Sequence, residues 1–448
     1  MVNDAVAAKL AGQPSVPPAV QPSLQPAARD DSYGQITDEG VARLRERIGI
    51  VVRNPAPPHY REPGVDAFRI VAQAYGDDNP LWGDRGYAAR TRWREPIAPP
   101  SMVGGDTLIG EDDPVELTAQ EKALLKGDPL RGVHAFYAAS HREWWAPLTA
   151  GQRGLRRRDA LVGVHDKSSQ FAGRAVHEWT GQLFATSDES VLSAQYKLMI
   201  RTERTKAREK GMHRAIEPYV YTDAEIAEIE NAVLAEKPRG ATPRYWEDVQ
   251  VGDAIDPLVK GPLTVTDIVC WHSGVGMGLY NVRPLGLAVR NRQRIKGFYH
   301  RDERGVPDVM QRVHWDPEFA RRSGNPTTFD YGRMREFWFI HACTSWMGDD
   351  AWLWKLAIEF RAFNYVGDTQ WITGEVTKRY LAGEGGEGEG MPAADVVLKA
   401  TNQRGQETTP GTATILLPSR EHGPARLPDP PGADMGSAMR AIVERFAQ

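Results

Sequence analysis

The chain has 448 residues, more than one ordinary domain needs and enough for two or three. Its formal net charge of −4 gives no ground for a nucleic-acid partner or an anionic membrane surface. Two cysteines, Cys270 and Cys343, stand far apart in apolar surroundings, and no apolar run reaches the ~18 residues of a membrane helix, so a reduced, cytoplasmic setting is expected.

The N-terminus lacks the basic start and apolar core of a signal peptide. Residues 1–34 are rich in Ala, Pro, Gln and Ser and read as a disordered tail, because they bury too little apolar surface to offset chain entropy. A helix is expected around Asp38 to Ile48. NPAPPHYREPG then forces an extended loop, since proline excludes helix. Val65 to Tyr75 reads as a helix with Phe68, Val71, Ala72 and Tyr75 on one face. It ends in Gly76-Asp77-Asp78-Asn79-Pro80-Leu81-Trp82-Gly83-Asp84. Asp106 to Arg131 is polar and reads as a surface excursion. From Val133 to Ile200 the pattern is strand-like, with a turn at Gly151-Gln152.

Residues 205–240 read as a charged helical connector. Its basic part is either a solvated face or a site for coenzyme A phosphates. PRYWEDVQVGD opens the second half, and Thr264 or Thr266 can cap a helix running to Trp271. An insertion from His272 to Gln311 follows, expected to fold over the next segment as a lid or channel wall. Then come Asp308, Gln311, His314 and Asp316, a short helical run from Pro317 to Arg322, and a longer helix opening near Thr328. Met334, Phe337, Trp338, His341 and Ser345 recur at helical spacing, with Arg333, Arg335 and Glu336 expected on the other side. Backbone N–H groups at the start of that helix, near Tyr331-Gly332, could hold a developing oxyanion. An imidazole and a carboxylate nearby could deprotonate a water. Strands are expected again from Lys355 to Leu417, with turns at Gly367-Asp368 and Asn402–Gly405 and a flexible tip at LAGEGGEGEGMP. Residues 421–448 read as a tail.

The halves align without a gap over one stretch. Trp82 falls on His314, Asp84 on Asp316, Ala88 on Ala320 and Pro99-Pro100 on Tyr331-Gly332, which implies duplicated domains. The second half keeps the imidazole. The first has Trp82 instead, and Pro100 has no N–H.

His314, Asp316 and Ala320, followed by Tyr331-Gly332, resemble the active-site segment of the MaoC-type acyl dehydratases. Gly76-Asp77-x-Asn79-Pro80-Leu81 matches the same pattern in the first half. IAPPSM and WWAPLTAGQ resemble the N-terminal FAS1-like dehydratase type. The resemblance implies an α+β double hot dog, each sheet wrapping a long helix, with a non-catalytic first half at 35–204 and a catalytic second half at 241–420. It implies reversible, R-specific hydration of a 2-enoyl thioester, an acyl-CoA in the first instance. No metal or redox cofactor is implied, and a homodimer is one assembly it allows. It would make Asp308, His314 and Gly332 the catalytic groups. Substrate would be bound by His272, Asp316, Tyr331, Trp338 and Trp82. Two other readings stand beside it: an acyl-CoA thioesterase, since one fold hosts both chemistries, and a non-catalytic subunit that binds acyl thioesters or a partner.

Overall fold

The computed structural model describes residues 34–53, 59–104, 114–152, 154–169, 173–203, 217–276, 285–294, 298–383 and 390–447. The reading of a disordered tail therefore lies outside the described residues up to position 33. So do parts of the connector, the insertion and the tip at 384–389.

The first half runs α1 (Asp38–Arg45), β1 (Val51–Val52), α2 (Val65–Gln73), α3 (Arg85–Ala88), α4 (Ala119–Leu124), β2 (His134–Trp144), β3 (Arg156–Ser169), β4 (Gly173–Ala185) and β5 (Val191–Thr202). Then α5 (Asp223–Ala235), opened by a Thr222–Glu225 capping box, leads into the second half. That half runs β6 (Ala254–Lys260), α6 (Val265–Val275), α7 (Leu285–Arg294), β7 (Tyr299–Arg301), β8 (Pro307–Val309), α8 (Pro317–Arg322) and α9 (Gly332–Met347). It closes with β9 (Trp352–Glu359), β10 (Gln370–Ala382), β11 (Met391–Asn402), β12 (Glu407–Leu416) and α10 (Met435–Ala447).

Ten strands form one antiparallel sheet in the order β1-β3-β4-β5-β2-β9-β12-β11-β10-β6. The order mirrors itself about β2 and β9, which pair from Ala139 opposite Glu359 to Glu143 opposite Lys355. Two five-stranded halves thus meet edge to edge, and each hides an edge the other would have to protect alone. Strand β11 alternates buried and exposed residues over Val396 to Ala400, as a sheet with one packed face requires. Its inner face packs with β6, β9, β10 and β12 around α9. This is the double hot dog.

Helix α9 is buried on all sides; only Gly332 and Ser345 are partly open. Arg333, Arg335 and Glu336 are therefore not on a solvent side, as their spacing led one to expect. Glu336 and Arg333 are buried against the first half, where Arg142 and the Gly104 carbonyl are their partners, whereas Arg335 is buried within the second half beside Asp330. The helix also starts later than Thr328. The segment before it is extended, with Asp330 N–H donating to Asn364 O (2.9 Å) and Val366 N–H to Thr328 O (3.0 Å). Neighbouring backbone outcompetes the caps.

The reading of 421–448 as a tail is corrected. Met435, Ala438, Met439 and Ile442 recur at helical spacing and bury against Val162, Leu183 and Tyr196 on the first-half sheet. Helix α10 therefore covers β3 and β4.

Helices α2 and α6 pack against each other where the halves meet. Both end at a left-handed glycine, Gly76 (φ 76°) and Gly276 (φ 74°). A Cβ on Gly274 would come 2.6 Å from Ala74 Cβ and 3.0 Å from Ile70 O. Gly274→Val should therefore overpack this crossing and lower stability by about 1–3 kcal/mol, read from the urea midpoint. An unchanged midpoint would show that the helices can separate at no cost. No helix of the described residues is long and apolar enough to cross a membrane.

Candidate active site

A local repeat positions the site. Pro80–Trp82 and Met310–His314 are both 3₁₀ turns. Each leads to an aspartate that caps a short helix: Asp84 accepts from Tyr87 N–H and Asp316 from Phe319 N–H, both at 2.9 Å. Trp82 and His314 thus occupy the same place in the two turns.

In the second half His314 Nδ1 lies 2.9 Å from Phe329 O. A carbonyl only accepts, so in the neutral ring the proton is on Nδ1 and the lone pair on Nε2. The ring stacks on Tyr331 at 3.9 Å between centroids and 29° between planes. Tyr331 in turn stacks on Trp271 of α6 at 5.0 Å, and Phe329 meets His314 edge-on at 4.6 Å. His272 approaches Tyr331 and Trp315, each at 6.0 Å. Burial, together with the neighbouring His272, pushes His314 down to about 4, although the Phe329 carbonyl pulls the other way. Burial likewise lowers His272. Both rings are therefore neutral near pH 7 and can act as bases. Among the described residues, His272 Nε2 and the Tyr331 hydroxyl are buried without a hydrogen-bond partner.

Gly332 is the first residue of α9, where the helix has no acceptor for its N–H. A Cβ there would lie 3.1 Å from the Tyr137 ring and 3.3 Å from Phe360. Tyr137 belongs to β2, so the first half forms one wall of the helix start.

The expected residues divide. His314, His272, Tyr331 and Gly332 come together. Asp308 does not join them. It is exposed on the β7–β8 hairpin opposite His300, and its carboxylate accepts from Val309 N–H at 2.7 Å. Among the described residues no carboxylate pairs with His314. The Asp316 carboxylate serves as a cap, with Arg312 3.8 Å away. Trp338 is buried in α9. Trp82 is buried in the first half, beside a narrow apolar cavity also lined by Trp93, Trp144, Leu148 and Trp352. The insertion contributes α7 and the hairpin, whose His300 ring lies 5.8 Å from Phe319 of α8.

The first-half motif is used for cohesion. Asp77 accepts from Asn79 N–H (3.1 Å) and the Tyr75 hydroxyl (3.3 Å), and lies 3.8 Å from His341 Nε2. Burial pushes its carboxyl up to about 6. Asn79 donates to Asp349 of the other half at 2.9 Å, and the Tyr87 hydroxyl does so at 2.6 Å. Where Asp77 follows Gly76 in the first half, Met277 follows Gly276 in the second. Sequence reasoning missed Trp271, Phe329 and Trp315 as site walls. Their aromatic character was a signal, but nothing in the spacing set them apart from other core residues.

No family model matches the sequence, and no curated protein does. Solved structures do. A MaoC-like dehydratase is similar at 17% identity with a TM-score of 0.53, over 84% of this chain and 99% of the other. A MaoC domain protein from Chloroflexus aurantiacus follows at 11% and 0.48, over 84% and 96%. A Mycobacterium tuberculosis protein described as having a double hot-dog fold shows 11% and 0.45, over 82% and 96%. The chain has the fold of the MaoC-like dehydratases. At these identities the likeness is one of fold.

Proposed function

We propose that the second half reversibly hydrates a 2-enoyl thioester, with an acyl-CoA as substrate. The observation behind this reading is the His314 ring, held in one tautomer and stacked on the residue that precedes the start of α9. His314 Nε2 takes a proton from water as its oxygen bonds to the β-carbon. The C=C pair moves onto the thioester oxygen, and the Gly332 N–H stabilises that enolate. The proton then passes to the α-carbon. In this reading His272, whose Nε2 is buried without a hydrogen-bond partner, helps to hold the water in place of the exposed Asp308. R-specificity remains an expectation from the resemblance.

Incubation with crotonyl-CoA and with longer or branched enoyl-CoAs tests this. Loss of the enoyl absorbance supports the reading, whereas release of free thiol would replace it with a thioesterase. A non-catalytic acyl-thioester-binding role is favoured by one observation, the lack of a carboxylate paired with His314 among the described residues. Binding without turnover would establish it.

The pH profile follows from the lowered imidazole. The base works only when neutral, so activity is kept as pH falls below 6.5 and is lost as pH passes His314's folded value of about 4. The acid limb of kcat/KM should therefore lie well below 6. A limb at the ordinary histidine value would assign the proton transfer to a solvated group.

A further inference from the structure

Asp330 stands between the two groups that the proposed chemistry needs. Phe329, before it, supplies the carbonyl that fixes the His314 tautomer. Tyr331, after it, stacks on His314 and precedes Gly332. The Asp330 side chain is 2% exposed and points the other way, into a buried polar chain. Arg335 Nε lies 2.9 Å from its Oδ2, and Asn364 Nδ2 donates to the same oxygen at 3.1 Å. Asn364 Oδ1 accepts from Gln370 Nε2 at 2.8 Å, and Gln370 Oε1 accepts from the Thr408 hydroxyl at 2.5 Å. Arg335 Nη1 donates to Ala362 O at 2.7 Å and to the Thr409 hydroxyl at 3.2 Å. Asn364, Gln370, Thr408 and Thr409 are all completely buried. The backbone completes the clamp, with Asp330 N–H on Asn364 O and Val366 N–H on Thr328 O.

Such a chain is a poor source of stability. Desolvating a buried ion pair costs about as much as its attraction returns, and an apolar pair often serves as well. What it does supply is a single arrangement of the segment it grips. Alternatives would leave several fully buried polar groups unpaired. The segment gripped here is the four residues from Thr328 to Tyr331.

We infer that Asp330 is a positioning residue: through Arg335 and Asn364 it holds Phe329 O against His314 Nδ1 and sets the Gly332 N–H at the helix start. This rests on the hydration reading for its kinetic consequence, but not for its geometry.

The test uses two variants of the full chain. Asp330→Asn removes the charge and keeps the shape. Because that change strands the buried Arg335 cation, the double variant Asp330→Asn/Arg335→Met removes both charges and guards against loss of folding. The readouts are circular dichroism, the ¹⁵N–¹H NMR signature of the His314 imidazole, and kcat and KM with crotonyl-CoA. In the folded variants the Nδ1–H signal should weaken in favour of mixed tautomers. Turnover should fall by about 10²-fold with KM little changed, the usual effect of a catalytic group displaced by about 1 Å. A folded variant with an unaltered imidazole signature would reduce Asp330 to structural support and overturn the inference. If the parent protein proves inactive on every enoyl-CoA, the hydration reading fails, while the imidazole signature still decides the role of Asp330.

Discussion

His314→Ala should lower turnover on an enoyl-CoA by about 10²–10⁴-fold, the usual size for losing a general acid–base. The His314 tautomer is set by the Phe329 carbonyl, and its ring lies against the residue before α9. Its neighbours should not matter equally. Asp308 is exposed and bonded to its own next residue, so Asp308→Asn should leave turnover near that of the parent. His272 lies against Tyr331 and Trp315 with an unpartnered Nε2, so His272→Ala should cost more than Asp308→Asn. The three variants are compared in a steady-state assay, with circular dichroism to confirm folding. Near-normal turnover in His314→Ala would remove the mechanism. A large loss in Asp308→Asn would mean that the hairpin closes over the site when substrate binds.

The fold was legible where the sequence carries local signals. The part of the register that sets Trp82 on His314 and Asp84 on Asp316 corresponds to matching 3₁₀ turns and capping aspartates in the two halves. The site was legible only in part. His314, Tyr331 and Gly332 lie close in sequence, so their meeting follows from one turn and one helix start. Asp308 lies closer still to His314 in sequence, yet the hairpin turns it outward. Spacing within an insertion cannot show which way a strand faces when no periodic pattern extends through it. Arg333, Arg335 and Glu336 misled for a different reason. Charge at helical spacing reads as a solvated face, and here partners come from elements far away in sequence, among them Arg142, the Gly104 carbonyl and Thr409. The helix α10 was overlooked because its stripe of Met and Ala is weak until a sheet covers it.

Glu336→Ala should destabilise the protein by about 3–5 kcal/mol, because it leaves a buried cation without its partner. Glu336 is completely buried in α9, and Arg142 of β2 is 1% exposed, with 3.2 Å between Nη1 and Oε1. Oε2 accepts from Gln195 Nε2 at 3.1 Å and from the Tyr137 hydroxyl at 3.3 Å. The cluster therefore joins the second-half helix to the first-half sheet. Burial alone would raise the Glu336 carboxyl, but the Arg142 and Arg333 guanidiniums outweigh it and hold it below the ordinary range. A depressed carboxylate contributes stability above its unfolded value of 4.5 that is lost as pH falls through the folded one, so the full penalty should be visible at pH 7. Domains are stable by only about 5–15 kcal/mol, so the expected loss is a large fraction of the whole. The double variant Arg142→Met/Glu336→Met should lose less than Glu336→Ala, since it does not leave Arg142 without its carboxylate. Urea unfolding of the three variants at pH 7 measures the difference. A loss below about 1 kcal/mol in Glu336→Ala would show that water reaches Arg142, and that the halves are held together by their shared sheet and apolar core without this pair.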